Sequence, residues 1–331
     1  MTSDIDPVIV ETNRPRARFY EGGAQIDRFR SLPPGEDHTP EDWVASTTPV
    51  RGQDPAGLTV LPDGRLLREA IAGAPMSWLG GSHLARWGVD SMLLVKLLDA
   101  GQRLPVHAHP DDTFAAAQLA SAHGKAEAWF ILKPGVVHLG LRRDVDRAEL
   151  ARLVRDQNTA SLLGLLNQVT VAEHDAVVVP PGTLHAIGRD VLLAEVQQPT
   201  DLSILLEWEG FAIDGWVEGH LGLGFDRALD AVDTRATRPE QLEQLVRRSA
   251  VDGPVFPAVA DAWFRLDRVT TSAVFDAGFA VIIATDGSTV LMTSQGTLPL
   301  TQGQTAVVPA ACGPVTMTTD GAVLVARPPA P

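Results

Sequence analysis

Two histidines, His107 and His109, stand two positions apart in the segment LPVHAHPDD. On a β-strand that spacing puts both imidazoles on one face, about 7 Å apart along the chain, so the pair can reach one ion. Glu127 opens the next apolar run, between Ala126 and Ala128-Trp129-Phe130. A carboxylate in so apolar a stretch is costly to bury unless a cation stands beside it. His185 follows the turn Pro180-Pro181-Gly182. A lone strand histidine is more often a hydrogen-bonded core residue than a ligand, but these four groups support one another. Three imidazoles and one carboxylate form a borderline-hard donor set that suits Zn²⁺ and is also compatible with Fe²⁺, Mn²⁺ or Co²⁺. Such an ion polarises oxygen atoms of a substrate when one coordination position stays open. The other histidines, His38, His83, His123, His138, His174 and His220, lie in polar or loop contexts and read as structural or solvent-exposed.

The elements that must carry these groups read as short strands. Residues 92–98 form an apolar run ending in the turn Asp99-Ala100-Gly101, and the His107/His109 strand stops at Pro110. Further strands are expected over 126–132, 169–171, 176–179, 192–197 and 203–206. Short helices are expected over 66–72, 112–122 and 161–166, and the pattern Leu150, Leu153, Val154 predicts an amphipathic helix over 146–155. Residues 1–60 read as irregular and polar, and 226–250 as a charged helical connector. The segment after Val255 again reads as short strands, with 279–284, 290–293, 306–308 and 323–326 among them. The phrase Gly303-Gln304-Thr305-Ala306-Val307-Val308-Pro309-Ala310 echoes His174-Asp175-Ala176-Val177-Val178-Val179-Pro180-Pro181. Both run turn, strand, Pro, which suggests two similar β-barrels. The second copy has no histidine, so only the first can hold the metal.

Composition narrows the partners. The 331 residues carry a formal net charge of −14 with no Lys/Arg cluster, which disfavours nucleic acid. A single cysteine, Cys312, permits no internal disulfide and no Cys-rich metal site. No apolar stretch approaches the roughly 20 residues of a membrane helix. The opening MTSDIDPVIVETNRPR lacks the pattern of a signal peptide, so the expected compartment is the cytoplasm.

Three segments carry a resemblance. LLVKLLDAGQRLPVHAHPDD resembles the metal-binding strand of type I mannose-6-phosphate isomerases, with His107 at a position usually Gln in that family. GKAEAWFIL resembles the family's Gly-Lys-x-Glu-x-Trp segment, and VVPPGTLHAIGRDVLLAEVQQPTD resembles the segment with its last histidine ligand. Looser echoes are Glu41-Asp42-Trp43-Val44-Ala45-Ser46 and the Gly22-Gly23 turn after Tyr20-Glu21. The resemblance implies a mainly β fold of two cupin (jelly-roll) β-barrels with a few short helices. Residues 1–225 would hold the N-terminal segment and the metal-binding catalytic cupin. Residues 226–331 would hold the helical connector and a metal-free C-terminal cupin.

The same resemblance implies one divalent metal, Zn²⁺ first, on His107, His109, Glu127 and His185. It makes Glu195 the base of an aldose–ketose isomerisation between mannose 6-phosphate and fructose 6-phosphate. Lys125 would bind a substrate phosphate or oxygen, Asp201 would orient the base, and Gln197 and Gln198 follow the base. One position departs. The family places an Arg a few residues after the match of Asp201, where this chain has Leu205, flanked by Ile204 and Leu206; no Arg occurs between Arg189 and Arg227. Apolar groups cannot hydrogen-bond a phosphate. Arg142, Arg143 and Arg189 are candidates to replace it. Rival readings are an isomerase or epimerase of another, unphosphorylated sugar, a non-catalytic metal-containing sugar-binding protein, and a cupin oxygenase. The expected partner is a small sugar or sugar phosphate, in a monomer or homodimer.

Overall fold

The structure, a computed structural model, describes residues 6–331. The first five residues, part of the segment read above for a signal peptide, lie outside the described residues. The chain is built on four antiparallel sheets arranged as two sandwiches.

In the first sandwich a six-stranded sheet runs Val246–Arg247, Ala176–Val179, Glu127–Lys133, Leu192–Gln197, Leu94–Asp99, Glu41–Val44. It faces a five-stranded sheet of Ile204–Leu205, His107–Ala108, His185–Ile187, Gly135–Leu141 and Leu166–Val171. Strand side chains alternate between faces, and the sequence obeys this rule. Trp129 and Ile131 point into the sandwich with Val137, Leu139, Val177 and Leu193. Ala128 and Phe130 point outward, with Val95, Leu97 and Val196.

That outward face is not a surface. It packs on the second sandwich, whose six-stranded sheet contributes Val281, Ile283, Val307, Leu324 and Ala326 to the same cluster. The strands of the six-stranded sheets are therefore apolar on both faces, which explains the continuous runs at 92–98 and 323–326. The second sandwich has its own interior of Ile282, Leu291, Leu300, Val308, Met317 and Val325. The helix Arg147–Arg155 lies on the outer side of the five-stranded sheet, its Leu150, Leu153 and Val154 packed with Ala108, Ala186 and Ile204.

Three expectations change. Residues 1–60 are not wholly irregular: they contain strands Val8–Val10 and Glu41–Val44 and the helix Ala24–Phe29. Val8–Val10 pairs antiparallel with Thr305–Val308, almost 300 residues away, so no local pattern reveals it. The 226–250 segment is helical only in short pieces, Phe225–Ala228, Leu229–Ala231 and Pro239–Leu245, and it ends in the strand Val246–Arg247 that extends the first sandwich's sheet. Gly135–Leu141 is a strand that the reading missed. Gly140 (φ 67°) and a register shift between His138 and Leu141 break its alternation. Among the described residues no helix is long and apolar enough to cross a membrane.

Candidate metal centre and active-site cleft

The pairing register carries the site's side chains into the first sandwich. On the five-stranded sheet His107 pairs with His185 on one side and with Leu205 on the other. On the facing sheet Lys96 pairs with Glu195, and Glu195 pairs with Trp129; one step along, Gln197 pairs with Glu127. Period-2 alternation therefore puts Glu127 on the interior face with Trp129, and Glu195 and Gln197 on that face with Leu193.

The imidazole nitrogens of His107, His109 and His185 offer one ligand atom each, all within 4.8 Å of one another. Each ring is fixed from behind. His107 Nδ1 lies 2.8 Å from Pro105 O, His109 Nδ1 2.7 Å from Leu202 O, and His185 Nδ1 2.8 Å from Thr183 O. An Nδ1–H donated to a carbonyl leaves Nε2 with its lone pair facing the centre, as metal-ligating histidines require. Burial, and then His185 and His109, push His107 well below the ordinary imidazole range. Burial, and then the Lys125 ammonium, push His109 down to about 3. Neutral rings are the form a metal needs.

Glu127 closes the group. Its Oε2 lies 3.0 Å from His109 Nε2, and its Oε1 lies 3.2 Å from His185 Nε2 and accepts a hydrogen bond from Trp129 Nε1 at 3.1 Å. Burial alone would raise its pKa, but Lys125, 2.8 Å away, and His109 hold it well below the usual carboxylate range. His185 Nε2 and Gln197 Oε1 are buried without a hydrogen-bond partner, and Glu195 Oε2 has only Lys96 at 3.5 Å. Buried acceptors left unpaired are costly, and the partner that converging lone pairs lack is a cation. The donor set fits a divalent metal.

Glu195 is the second carboxyl. Burial and then the neighbouring Glu127 charge raise its pKa, against Lys96 at 3.5 Å and Lys125 at 4.0 Å. Asp201 stands further along the same cleft, with Oδ1 3.6 Å from Arg18 Nη2 and Oδ2 accepting the Arg51 backbone N–H at 3.2 Å. Gln198 is a strut: its amide donates to Asp112 Oδ1 at 2.8 Å and its oxygen accepts from Ala126 N at 2.8 Å. The cleft above these groups measures about 570 Å³. Among the described residues its lining excludes Arg142, Arg143 and Arg189, and Arg143 is engaged with Glu149 at 2.6 Å.

Four lining residues escaped the sequence reading as site residues: Arg18, Glu41, Lys96 and Arg51. Glu41 accepts from Tyr20 OH at 2.6 Å and Trp43 Nε1 at 2.6 Å, and pairs with Arg18 at 3.1 Å and Lys96 at 3.5 Å. Lys96 stands in the run Leu94-Val95-Lys96-Leu97-Leu98, where a lone charge among apolar neighbours is the same signal that marked Glu127.

No model of a protein family matches the chain. It is similar to a mannose-6-phosphate isomerase of Streptococcus mutans, 28% identical over 186 residues, which are 54% of each protein. It is also similar to the mannose-6-phosphate isomerase ManA of Bacillus subtilis, 35% identical over 117 residues, 34% of this chain and 36% of that protein. Both of these curated relatives are mannose-6-phosphate isomerases, and the likeness to them is partial in both identity and length. The aligned region spans only about half the length of the first of these curated relatives. The fold likeness is longer. The solved structure of the mannose 6-phosphate isomerase from Bacillus subtilis covers 98% of this chain and 100% of its own, with a TM-score of 0.73 at 21% identity. A mannose 6-phosphate isomerase structure bound with zinc and yttrium matches with the same coverage and TM-score at 16% identity. The mainly β, two-sandwich architecture agrees with the fold of these solved structures.

Proposed function

We propose that this chain is a metal-dependent aldose–ketose isomerase that interconverts mannose 6-phosphate and fructose 6-phosphate. The observation that carries the reading is a three-histidine cluster beside two buried carboxyls of opposite tuning, Glu127 held low by Lys125 and His109 and Glu195 raised by burial and the Glu127 charge. Glu127 joins His107, His109 and His185 as the ligand set, and Zn²⁺ suits it. When bound, the ion supplies positive charge that polarises the sugar's carbonyl and hydroxyl oxygens.

The proton work falls to Glu195. Isomerisation moves a proton between C1 and C2 through an enediol, so one group must accept it and return it. Burial and the neighbouring Glu127 charge raise the Glu195 carboxyl above the ordinary carboxylate range, which moves its proton exchange toward neutral pH. Lys125 and Lys96 flank it, and an ammonium beside a developing oxyanion lowers the cost of its charge. Asp201 holds Arg18 and the Arg51 backbone in place, which orients the cleft wall.

A second reading has an observation of its own. Leu205, 3% exposed and paired with His107, joins Ile213, Val217 and Leu221 in an apolar wall. That wall favours an isomerase of an unphosphorylated sugar. A coupled assay of the zinc-loaded protein separates them: turnover of mannose 6-phosphate well above free mannose supports the first, and the reverse supports the second. Glu195→Gln is expected to abolish turnover with metal content unchanged. Full activity in that variant refutes the assignment of the base.

A further inference from the structure

The cations in the cleft are not equivalent. Arg18 is bound to Glu41 and Asp201, Lys96 to Glu41 and Glu195, and Lys125 to Glu127. A charge already matched by a buried carboxylate has little left for an incoming anion. Arg51 differs. Among the described residues its side chain has no carboxylate partner, and the one hydrogen bond its guanidinium makes runs from Nη2 to Leu221 O at 3.0 Å. An arginine presents five N–H donors, so most of this fork is free for a ligand.

The backbone presents that fork on a fixed mount. Gln53 N donates to Val50 O at 2.9 Å, closing a β-turn with Arg51 and Gly52 at its corners. Gly52 has φ +75°, the conformation a type II turn requires at its third residue, and no atom lies within 4 Å of where a Cβ would sit. The Arg51 backbone N–H is tied to Asp201 Oδ2 at 3.2 Å. Arg51 is exposed whereas His107, Glu127 and Glu195 are buried, so it marks the mouth of the cleft and they mark its floor.

The geometry points to Arg51 as the anion anchor of this cleft: its guanidinium holds the phosphate of a sugar phosphate whose carbonyl end lies at the histidines. The inference rests on the isomerase reading above and deepens it. In a hexose 6-phosphate the charged group and the reacting C1 and C2 sit at opposite ends of the molecule. An anchor at the mouth is therefore compatible with a buried Leu205 beside His107. Arginine matches phosphate oxygens with two parallel N–H bonds, which a neutral amide cannot reproduce.

The test compares wild type, Arg51→Gln and, as a control away from the cleft, Arg143→Gln, all zinc-loaded. The readouts are the kcat/KM ratio of mannose 6-phosphate to free mannose and the calorimetric affinity for inorganic phosphate. Arg51→Gln is expected to cut the ratio about 10- to 100-fold, the worth of a charge-assisted contact, mainly through KM, and to weaken phosphate binding. Arg143→Gln should match wild type in both. A ratio and a phosphate affinity in Arg51→Gln within twofold of wild type overturn the proposal. Should the wild type turn over neither sugar, the isomerase reading fails, and the phosphate titration still decides Arg51: affinity lost in Arg51→Gln upholds the anchor, and affinity retained overturns it.

Discussion

Replacing Glu41 by Gln isolates the worth of the buried charge network. Glu41 is 3% exposed and receives Tyr20 OH and Trp43 Nε1 at 2.6 Å while pairing with Arg18 and Lys96. Burial alone would raise its carboxyl, but Arg18 and Lys96 hold it far below the usual range. The amide keeps the shape, removes the charge and points an N–H₂ at a donor. Arg18 and Lys96 then stay buried with less counter-charge, and breaking a buried pair in this way costs about 3–5 kcal/mol. At about 2 °C per kcal/mol for a chain of this size, the melting temperature should fall by about 6–10 °C. The control is Glu36→Gln. Glu36 meets Arg16 at 3.9 Å with side chains 66% and 81% exposed, and a pair of that kind is worth about 0–1 kcal/mol. Thermal melts of both variants decide the matter. A Glu41→Gln protein that melts with wild type and with Glu36→Gln would show that the network contributes nothing beyond surface pairing.

Other outcomes follow from the same geometry. His185→Ala should abolish stoichiometric zinc binding, read by metal analysis after dialysis, because its Nε2 faces the centre and its ring is fixed by Thr183 O. Chelation should lower the melting temperature and re-addition of zinc restore it; zinc at 1,000 times its Kd adds about 4 kcal/mol. The His123–Asp90 pair, 2.8 Å apart, should leave a pH signature. The hydrogen bond to Asp90 raises His123, and His123 lowers Asp90 against its own burial. A raised histidine stabilises fully below its unfolded pKa of 6.5 and stops doing so as pH rises through the folded value. A lowered aspartate stabilises above 3.8 and stops as pH falls through its folded value. Melts of His123→Gln against wild type should therefore differ most between those limits and converge at alkaline pH; a constant difference would rule the linkage out. Gly215→Ala should destabilise, since a Cβ there would meet the Trp208 ring at 2.1 Å; a melt equal to wild type would contradict that packing.

Much of the candidate metal centre stands out in the sequence because its residues break local rules: histidines at strand spacing, and a carboxylate among Ala and Trp. Lys96 breaks the same rule, yet its partners Glu41 and Glu195 come from distant strands, so a linear reading saw an apolar strand and no counter-ion. Arg51 was invisible for the opposite reason. Arg-Gly-Gln-Asp is an ordinary exposed turn in sequence, and only the fold sets it over a cleft. The barrel strands were readable where one or both faces are apolar. They failed at Gly135–Leu141, where a glycine and a register shift interrupt the period, and at Val8–Val10, whose three apolar residues mean nothing without Thr305–Val308.

That last pairing bears on how the protein is made. Val8–Val10 is an edge strand of the second sandwich's six-stranded sheet, and its neighbour emerges from the ribosome almost 300 residues later. At roughly 5–20 residues per second, the early strand must wait on the order of 15–60 seconds with its amides unpaired. During synthesis it is an open edge, available to another nascent chain on the same message. Slowing elongation between residues 100 and 300 should therefore increase aggregation of this chain.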